Sequence, residues 1–407
     1  MSSFSIALSG LTASSSDLDV TSNNIANADT IGFKESRAEF ADVYASGAVN
    51  LNNSVTGEGV RLAATAQQFT QGNISTTSSN LDLAISGDGF FTLADANGLV
   101  YSRNGQFAED KNGNVVSSTG QALQVYPPSQ NGGFNTGALQ DLNLQTAESA
   151  PSATTSGTVI LNLPASSTPP TVTPFNPTNS ATYNESTSTT VYDSLGQSYS
   201  ATLYFVQTAT PGQWNVYTTV NGTQVGGAQT LGFSNAGAVT TPVGGVLPFN
   251  GYTPPDGAQP MNLSFNFAQT TQYGGQFAVT SITQNGYATG QLSTVAIDSA
   301  GVVSAVYTNG RSTTVGQLAM ANFPNPQGLK QLGNTNWAET FTSGTVVQGT
   351  AGSAGFGTIQ SGALESSNVD LTTQLVNMIT AQRAFDANAQ VITVANQEAQ
   401  VVNNIAH

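Results

Sequence analysis

FSIALSGLTASSSDLDVTSNNI (residues 4–25) and LTTQLVNMITAQRAFDANAQVITVANQEA (residues 371–399) carry the same beat at opposite ends of the chain. Phe4, Leu11, Leu18 and Ile25 recur every seventh residue, as do Leu371, Met378, Phe385, Ile392 and Ala399. Such spacing lays apolar side chains along one stripe of a helix, and Leu8 and Leu375 open the offset rows that would complete a coiled-coil-like seam. Each terminal helix therefore needs a partner. Because strand-like sequence fills the space between them, the chain is expected to leave and return at one place with its ends bundled. Ser15, Ser22, Gln382 and Asn396 stand in offset positions where a self-contained pair would use Leu or Ile, so further partners are expected, and copies of the same chain would serve. A helical hairpin that caps a β-domain is the competing reading. The residues expected at the assembly interface are Phe4, Leu8, Leu11, Leu18, Ile25, Leu371, Leu375, Met378, Phe385 and Ile392.

The first helix is poorly equipped to stand alone. Between Phe4 and Ala28 its only charges are Asp17 and Asp19, and its Ser, Thr and Asn residues compete for the backbone. Without i,i+4 ion pairs its order must come from packing.

Composition narrows the function. The 407 residues suffice for several domains, and 42 Gly and 16 Pro suit short strands joined by tight turns. Net charge is −15, with eight Lys or Arg and none between Lys111 and Arg311. No basic patch exists to grip nucleic acid or an anionic membrane. The absence of cysteine removes disulfide and thiol chemistry. No apolar run reaches membrane-spanning length, and the first thirty residues do not read as a cleaved secretory signal. A sparsely charged surface fits an extracellular protein, which would then leave by a route without a Sec-type signal.

Along the chain, the first helix should stop near 27–32, followed by a connector at 33–44 whose Phe33, Phe40 and Tyr44 suggest either a packed patch or a short amphipathic helix. From 73 the pattern turns to period two. Leu81, Leu83 and Ile85, then Ser86-Gly87-Asp88-Gly89, then Phe90–Leu93 read as a hairpin, with further turns at 95–98 and 111–114. At about 147 the composition shifts toward Thr, Ser and Pro, and a second β-domain is expected to 287, a sandwich or barrel with strands at 159–163, 198–207, 214–220 and 262–267 and a hairpin tip at 220–223. The first β-domain should resume at 292–323, and the glycine-rich run 344–362 should lead back to the helices. Ser367-Asn368-Val369-Asp370 matches a capping box. The expected fold is mainly β with an α-helical terminal bundle: two antiparallel β-domains, one inserted in the other. The divisions are 1–30 and 364–407 for helical assembly, 31–72 and 345–363 as connector, 73–146 and 288–344 as inner β-domain, and 147–287 as outer β-domain.

Residues that could carry chemistry are few. The lone histidine is His407, the last residue, poorly placed for a Ser-His-acid triad, and one histidine without cysteine makes no zinc site. Asp110–Asn114 resembles a calcium loop only faintly, with Val115 where glycine belongs and Gln121 where glutamate belongs. Gly87-Asp88-Gly89 lacks the third glycine of a dinucleotide loop, and Lys34, Lys111 and Lys330 close no P-loop. Asp88 and Glu109 could meet as a glycosidase pair, but scattered surface acids are the commoner case. Trp214 and Trp337 are expected in cores. No catalytic, cofactor or metal site is expected.

Several segments resemble the bacterial flagellar rod and hook axial proteins: Gly10-Leu11-Thr12-Ala13, residues 18–27 (LDVTSNNIAN) with Gly32-Phe33-Lys34, residues 83–91 (LAISGDGFF), residues 101–107 (YSRNGQF) and residues 362–371 (GALESSNVDL). Residues 319–329 (AMANFPNPQGL) and Gly349-Thr350-Ala351-Gly352 are similar to the hook members, as is the length, because rod relatives lack the insertion at 147–287. The resemblance implies a homo-polymeric tube, exported through the flagellar type III apparatus, with terminal helices around a central channel and β-domains outward. It also implies the distal rod, hook cap and hook–filament junction proteins as partners. The tube would bend as a universal joint while transmitting torque. A distal rod-type protein, and at greater distance a secreted carbohydrate-active β-protein, are the alternatives.

Overall fold

The computed structural model describes residues 2–43, 57–130, 132–144 and 148–405. Tyr44 and His407, singled out above, lie outside the described residues. The chain divides into two units: Met1–Gln145, Thr294–Ala305 and Thr313–His407 form one, and Thr146–Ser293 with Val306–Ser312 the other.

The first unit holds both helices, α1 (Ser2–Ala26) and α2 (Leu371–Ile405). α1 stops where Asn27 bonds back to the carbonyl of Asn23 through its backbone and its side chain. The chain then turns through Gly32 at φ +69°, where a Cβ would come within 2.5 Å of the Asn104 amide nitrogen, so only glycine fits. α2 is capped by Asp370, whose Oδ1 accepts the Thr373 N–H at 2.9 Å. The expected capping box is thus shortened to its last residue. Asn368 is drawn instead to the Glu35 N–H and the Gln68 carbonyl.

Between the helices, Ser36–Asp42 pairs antiparallel with Val60–Gln67. The connector is therefore a strand rather than an amphipathic helix. Its Phe33 is buried and its Phe40 exposed.

Leu83–Ser86 and Phe90–Asp95 do not form the expected hairpin. Gly87 and Gly89, both at positive φ, turn the chain between two different partners. Leu83–Ser86 pairs with Thr358–Ser361, whereas Phe90–Asp95 pairs with Gly98–Ser102, Ala122–Tyr126 and Met320–Asn322. Leu83, Ala84 and Ile85 are all fully buried, a burial that alternation alone does not reveal. The glycine-rich run expected as connector also supplies strands, Val347–Gly349 and Thr358–Ser361. The unit's core joins Leu83, Ile85, Phe91, Leu93, Val125 and Leu318. Beside it, Phe69, Phe90, Tyr101, Phe323 and Trp337 make an edge-to-face aromatic cluster.

The second unit is a sandwich of two five-stranded sheets. One runs Glu185–Tyr192, Ser198–Gln207, Gln213–Val220, Thr223–Phe233, Val239–Thr241, all antiparallel. Its tip at Asn221 and Gly222, both at positive φ, is the predicted hairpin. The other sheet is mixed: Ser156–Pro164 pairs parallel with Met261–Asn266 and Thr271–Tyr273, and antiparallel with Ala278–Gln284. Inward residues of both sheets, among them Leu161, Phe205, Trp214, Phe249 and Phe265, form one core.

Candidate functional site

The two helices meet along a seam that runs antiparallel. Asn24 Nδ2 donates to Gln374 Oε1 at 3.2 Å, and a Cβ on Gly10 would lie 2.7 Å from the Asn388 side chain. The interval from Gly10 to Asn24 equals that from Gln374 to Asn388, so the pairing keeps one register. On α1 the seam is Ala7, Ser14 and Thr21, buried, flanked by half-buried Leu11, Leu18 and Ile25. On α2 it is Gln374, Ala381, Asn388 and Ala395, alternating with half-buried Met378, Phe385 and Ile392.

The offset rows therefore fall one residue before the predicted ones. Small and polar side chains at those positions let the backbones approach, and Leu8 and Leu375 are displaced from the seam. Leu8 is 47% exposed and Leu375 50%, and Phe4 and Leu371 are exposed as well. Sequence reasoning missed Val376 (59%), Ile379 (49%), Val391 and Val394, which stay exposed on α2. Leu371, Leu375 and Ile379 form an i,i+4 stripe that was legible without the structure. Full burial of such a side chain is worth roughly 1.5–3 kcal/mol, and with about half of each exposed the monomer leaves roughly half of that unused.

Beneath the seam the helices are anchored by polar groups. Asn24 makes two bonds to the Ser36 backbone, accepting its N–H at 2.9 Å and donating to its carbonyl at 2.7 Å. Gln374 links Asn24 to Glu35, donating to Glu35 Oε1 at 2.8 Å. We expect Asn24→Ala to lower the stability of this unit by about 1–3 kcal/mol for each Ser36 group left unpaired. Chemical denaturation followed by Trp337 fluorescence would measure it, and a loss under about 0.5 kcal/mol, the range of a neutral surface change, would count against the anchor.

The second anchor is ionic. Lys34, Arg103 and Glu365 meet with their side chains almost wholly excluded from solvent. Glu365 Oε1 accepts Lys34 Nζ at 2.6 Å and the Gly72 N–H at 2.9 Å, while Oε2 accepts Arg103 Nη1 at 3.2 Å. Lys34 also reaches the Thr70 carbonyl, and Arg103 reaches that of Gly87 while lying over the Phe90 ring. The Glu365 carbonyl takes the N–H of Gly32, the residue that turns the chain out of α1. Burial pushes both cations below their ordinary pKa values, and the Glu365 carboxylate opposes the shift. Two of the chain's eight cations are spent here. Sequence reasoning quoted all three residues inside family segments without assigning them a joint role, because 331 residues separate Lys34 from Glu365 and 262 separate Arg103 from it.

Other chemistry is sparse. Among the described residues no group of three or more His, Cys, Asp or Glu could hold a metal, and no helix is long and apolar enough to cross a membrane. Asp110 is occupied by its own turn: the Asn114 and Asn112 N–H groups bond its carboxylate and hold it below the ordinary carboxylate range. Asp88 and Glu109 are exposed on separate segments. Trp214 and Trp337 are core residues.

Four family models match along the chain: "Flagella basal body rod protein" at residues 4–34, "Flagellar hook protein FlgE/F/G D1 domain" at 84–161, "Flagellar basal body protein FlaE D2 domain" at 162–287 and "Flagellar basal body rod FlgEFG protein C-terminal" at 360–405. The flagellar hook protein FlgE of Escherichia coli K12 is 40% identical over 410 residues, covering 99% of each chain. That of Salmonella typhimurium is 39% identical over 99% of this chain and 100% of its own. That of Borreliella burgdorferi is 33% identical over 98% of each. Among solved structures, Helicobacter pylori flagellar hook protein FlgE2 shares the fold with TM-score 0.50 at 13% identity, over 72% of this chain and all of that one.

Proposed function

The chain belongs to the flagellar hook protein FlgE family, and from that membership we propose how this structural subunit of the hook assembles. Copies pack through the α1–α2 pair into a tube, with the helices toward the channel and the two β-units outward. The observation that carries this is the stripe of Leu371, Leu375 and Ile379 on α2, with Val376 beside it and Leu8 near the other end of the pair, left exposed on helices whose own seam is built from small and polar residues. The interface comprises Phe4, Leu8, Leu11, Leu18, Ile25, Leu371, Leu375, Met378, Phe385 and Ile392, extended by Val376 and Ile379.

The tube is curved and flexible, and transmits motor torque as a universal joint: packed helices carry the load while weaker contacts between outward units slide. Its neighbours are the distal rod, the hook cap and the hook–filament junction proteins. It leaves the cell through the flagellar type III export apparatus without cleavage of a Sec signal. Supporting a helical assembly part distinct from inner and outer β-parts is the way family models divide the chain.

Electron microscopy of the concentrated full chain is expected to show curved tubes, and straight ones would favour the rod-type alternative. A chain trimmed to residues 31–370, which keeps Lys34, Arg103 and Glu365, should remain folded and form none. Tubes from the trimmed chain would overturn the proposed assembly.

A further inference from the structure

Each terminal helix carries a second heptad row on the side away from the shared seam. On α1 it is Leu8, Thr12, Ser15, Asp19, Ser22 and Ala26, all exposed except half-buried Ser15. On α2 it is Val376, Thr380, Arg383, Ala387, Gln390 and Val394, exposed throughout. Each row holds one charge. Arg383 is the only cation in either helix, and Asp19 is the only exposed acid in α1, because Asp17 falls in the heptad row of Gly10 and Asn24 and is half-buried. Among the described residues neither Asp19 nor Arg383 is ion-paired.

The two rows cannot meet within one chain. The seam sets Gly10 against Asn388 and Asn24 against Gln374, whereas Val376, Arg383 and Gln390 stand two residues, about 200° round the helix, beyond Gln374, Ala381 and Asn388. A second copy can bring them together. On the assembly proposed above, copies repeat by rotation about and translation along one axis, so helices that line the tube keep their direction. The α1 of one copy then meets the α2 of the next antiparallel, as it does the α2 of its own chain. With Asp19 set opposite Arg383, Leu8 falls opposite Val394 and Ala26 opposite Val376, apolar against apolar at both ends. Between them Thr12 falls opposite Gln390, Ser22 opposite Thr380 and Ser15 opposite Ala387, polar with polar and small with small. A slip of one heptad either way takes Asp19 to Val376 or to Gln390.

We propose that α1 of one copy docks on the outward row of α2 in the next, in the register set by Asp19 and Arg383. The contact rests on the helical assembly proposed above and fixes its register. It joins two different faces, so each copy at an end of the array keeps one face free, and the product is an open polymer rather than a closed dimer. An exposed ion pair adds little affinity; its effect is to penalise the other registers, in which each ion faces an uncharged side chain. Because α1 ends at Ala26, Leu371 and Leu375 lie past this contact and are open to a further copy.

The test uses the full chain and the concentration at which tubes first form. Both charged residues are exposed, so Asp19→Arg and Arg383→Asp should each unfold as the parent does, followed by Trp337. Each should raise the critical concentration by about tenfold or more, since like charges then face each other. The double variant should return to within about threefold of the parent. An equal mixture of the two single variants should polymerise where neither does alone, because opposite charges then meet between copies. The chain has no cysteine, so Ser15→Cys with Ala387→Cys reads the register directly. Mild oxidation of its tubes should give a ladder of covalent oligomers, and Ser15→Cys with Thr380→Cys, one heptad away, should give none. Single variants that polymerise like the parent, a double variant no better than the singles, or a ladder from the Thr380 pair and not the Ala387 pair overturns this register. So does the absence of any ladder, and so does rescue by the double variant without rescue by the mixture, which would put the pair within one chain. Tubes from the chain trimmed to residues 31–370 would instead overturn the helical assembly on which the register rests.

Discussion

Glu365→Gln is expected to destabilise the first unit by about 3–5 kcal/mol, the penalty of removing one partner from a buried ionic group. The amide keeps the shape of the side chain and removes the only carboxylate that Lys34 and Arg103 share. Both cations then sit in a site with carbonyls from Thr70 and Gly87 and no opposite charge in contact. The protein supplies its own control. Trp337 belongs to the aromatic cluster with Phe90, over which Arg103 lies, and Trp214 is in the core of the second unit. Single-tryptophan variants should show the Trp337 transition moved to much lower denaturant and the Trp214 transition in place. Replacing all three charged residues by apolar ones of similar volume, Lys34→Met with Arg103→Met and Glu365→Leu, should recover most of the loss, because desolvation offsets much of the coulombic gain in a buried cluster. If Glu365→Gln shifts the Trp337 transition by less than about 1 kcal/mol, a typical single-site effect, the triad does not anchor this unit.

That triad also marks the boundary of what could be read from the chain. The helices were legible because their seven-residue beat is local, and the hairpin at Asn221-Gly222 because its turn demands positive φ at both positions. The register between α1 and α2 was not, since the eye follows Leu8 and Leu375 whereas the backbones are drawn together over Ala7, Ser14, Thr21 and Ala381. Hydrophobicity marks where a helix can be covered; it does not say by which copy. Leu83–Ser86 misled for a related reason. Its alternation matched that of Phe90–Leu93, but the strand is sandwiched and pairs with residues more than 270 positions away. Parallel pairing of Ser156–Pro164 and the meeting of Lys34, Arg103 and Glu365 are likewise products of long-range closure, which no short window of sequence reports.

The exposed stripe gives the sharper test of how copies join. Leu375→Glu should leave the monomer's unfolding unchanged within about 0.5 kcal/mol, as surface substitutions do, and should abolish tubes. On the proposed assembly each joining subunit covers the exposed half of Leu375, worth about 1 kcal/mol, and a glutamate there would have to lose its water at a cost of several kcal/mol, so the critical concentration rises by roughly two orders of magnitude or more. Charge repulsion between subunits of net charge −15 could produce the same result for a different reason, so Leu375→Lys separates the two. If apolar burial drives the contact, both variants fail to polymerise at any salt concentration. If repulsion dominates, Leu375→Lys assembles and Leu375→Glu recovers as salt screens the charges. Leu18→Asp provides the contrast, because Leu18 is half-buried within the intramolecular seam: it should loosen α1 from α2 in the monomer, seen as faster amide exchange across α1, as well as prevent assembly. Sedimentation showing normal polymers from Leu375→Glu would mean that the stripe faces solvent in the tube and that contact lies elsewhere on the helix pair.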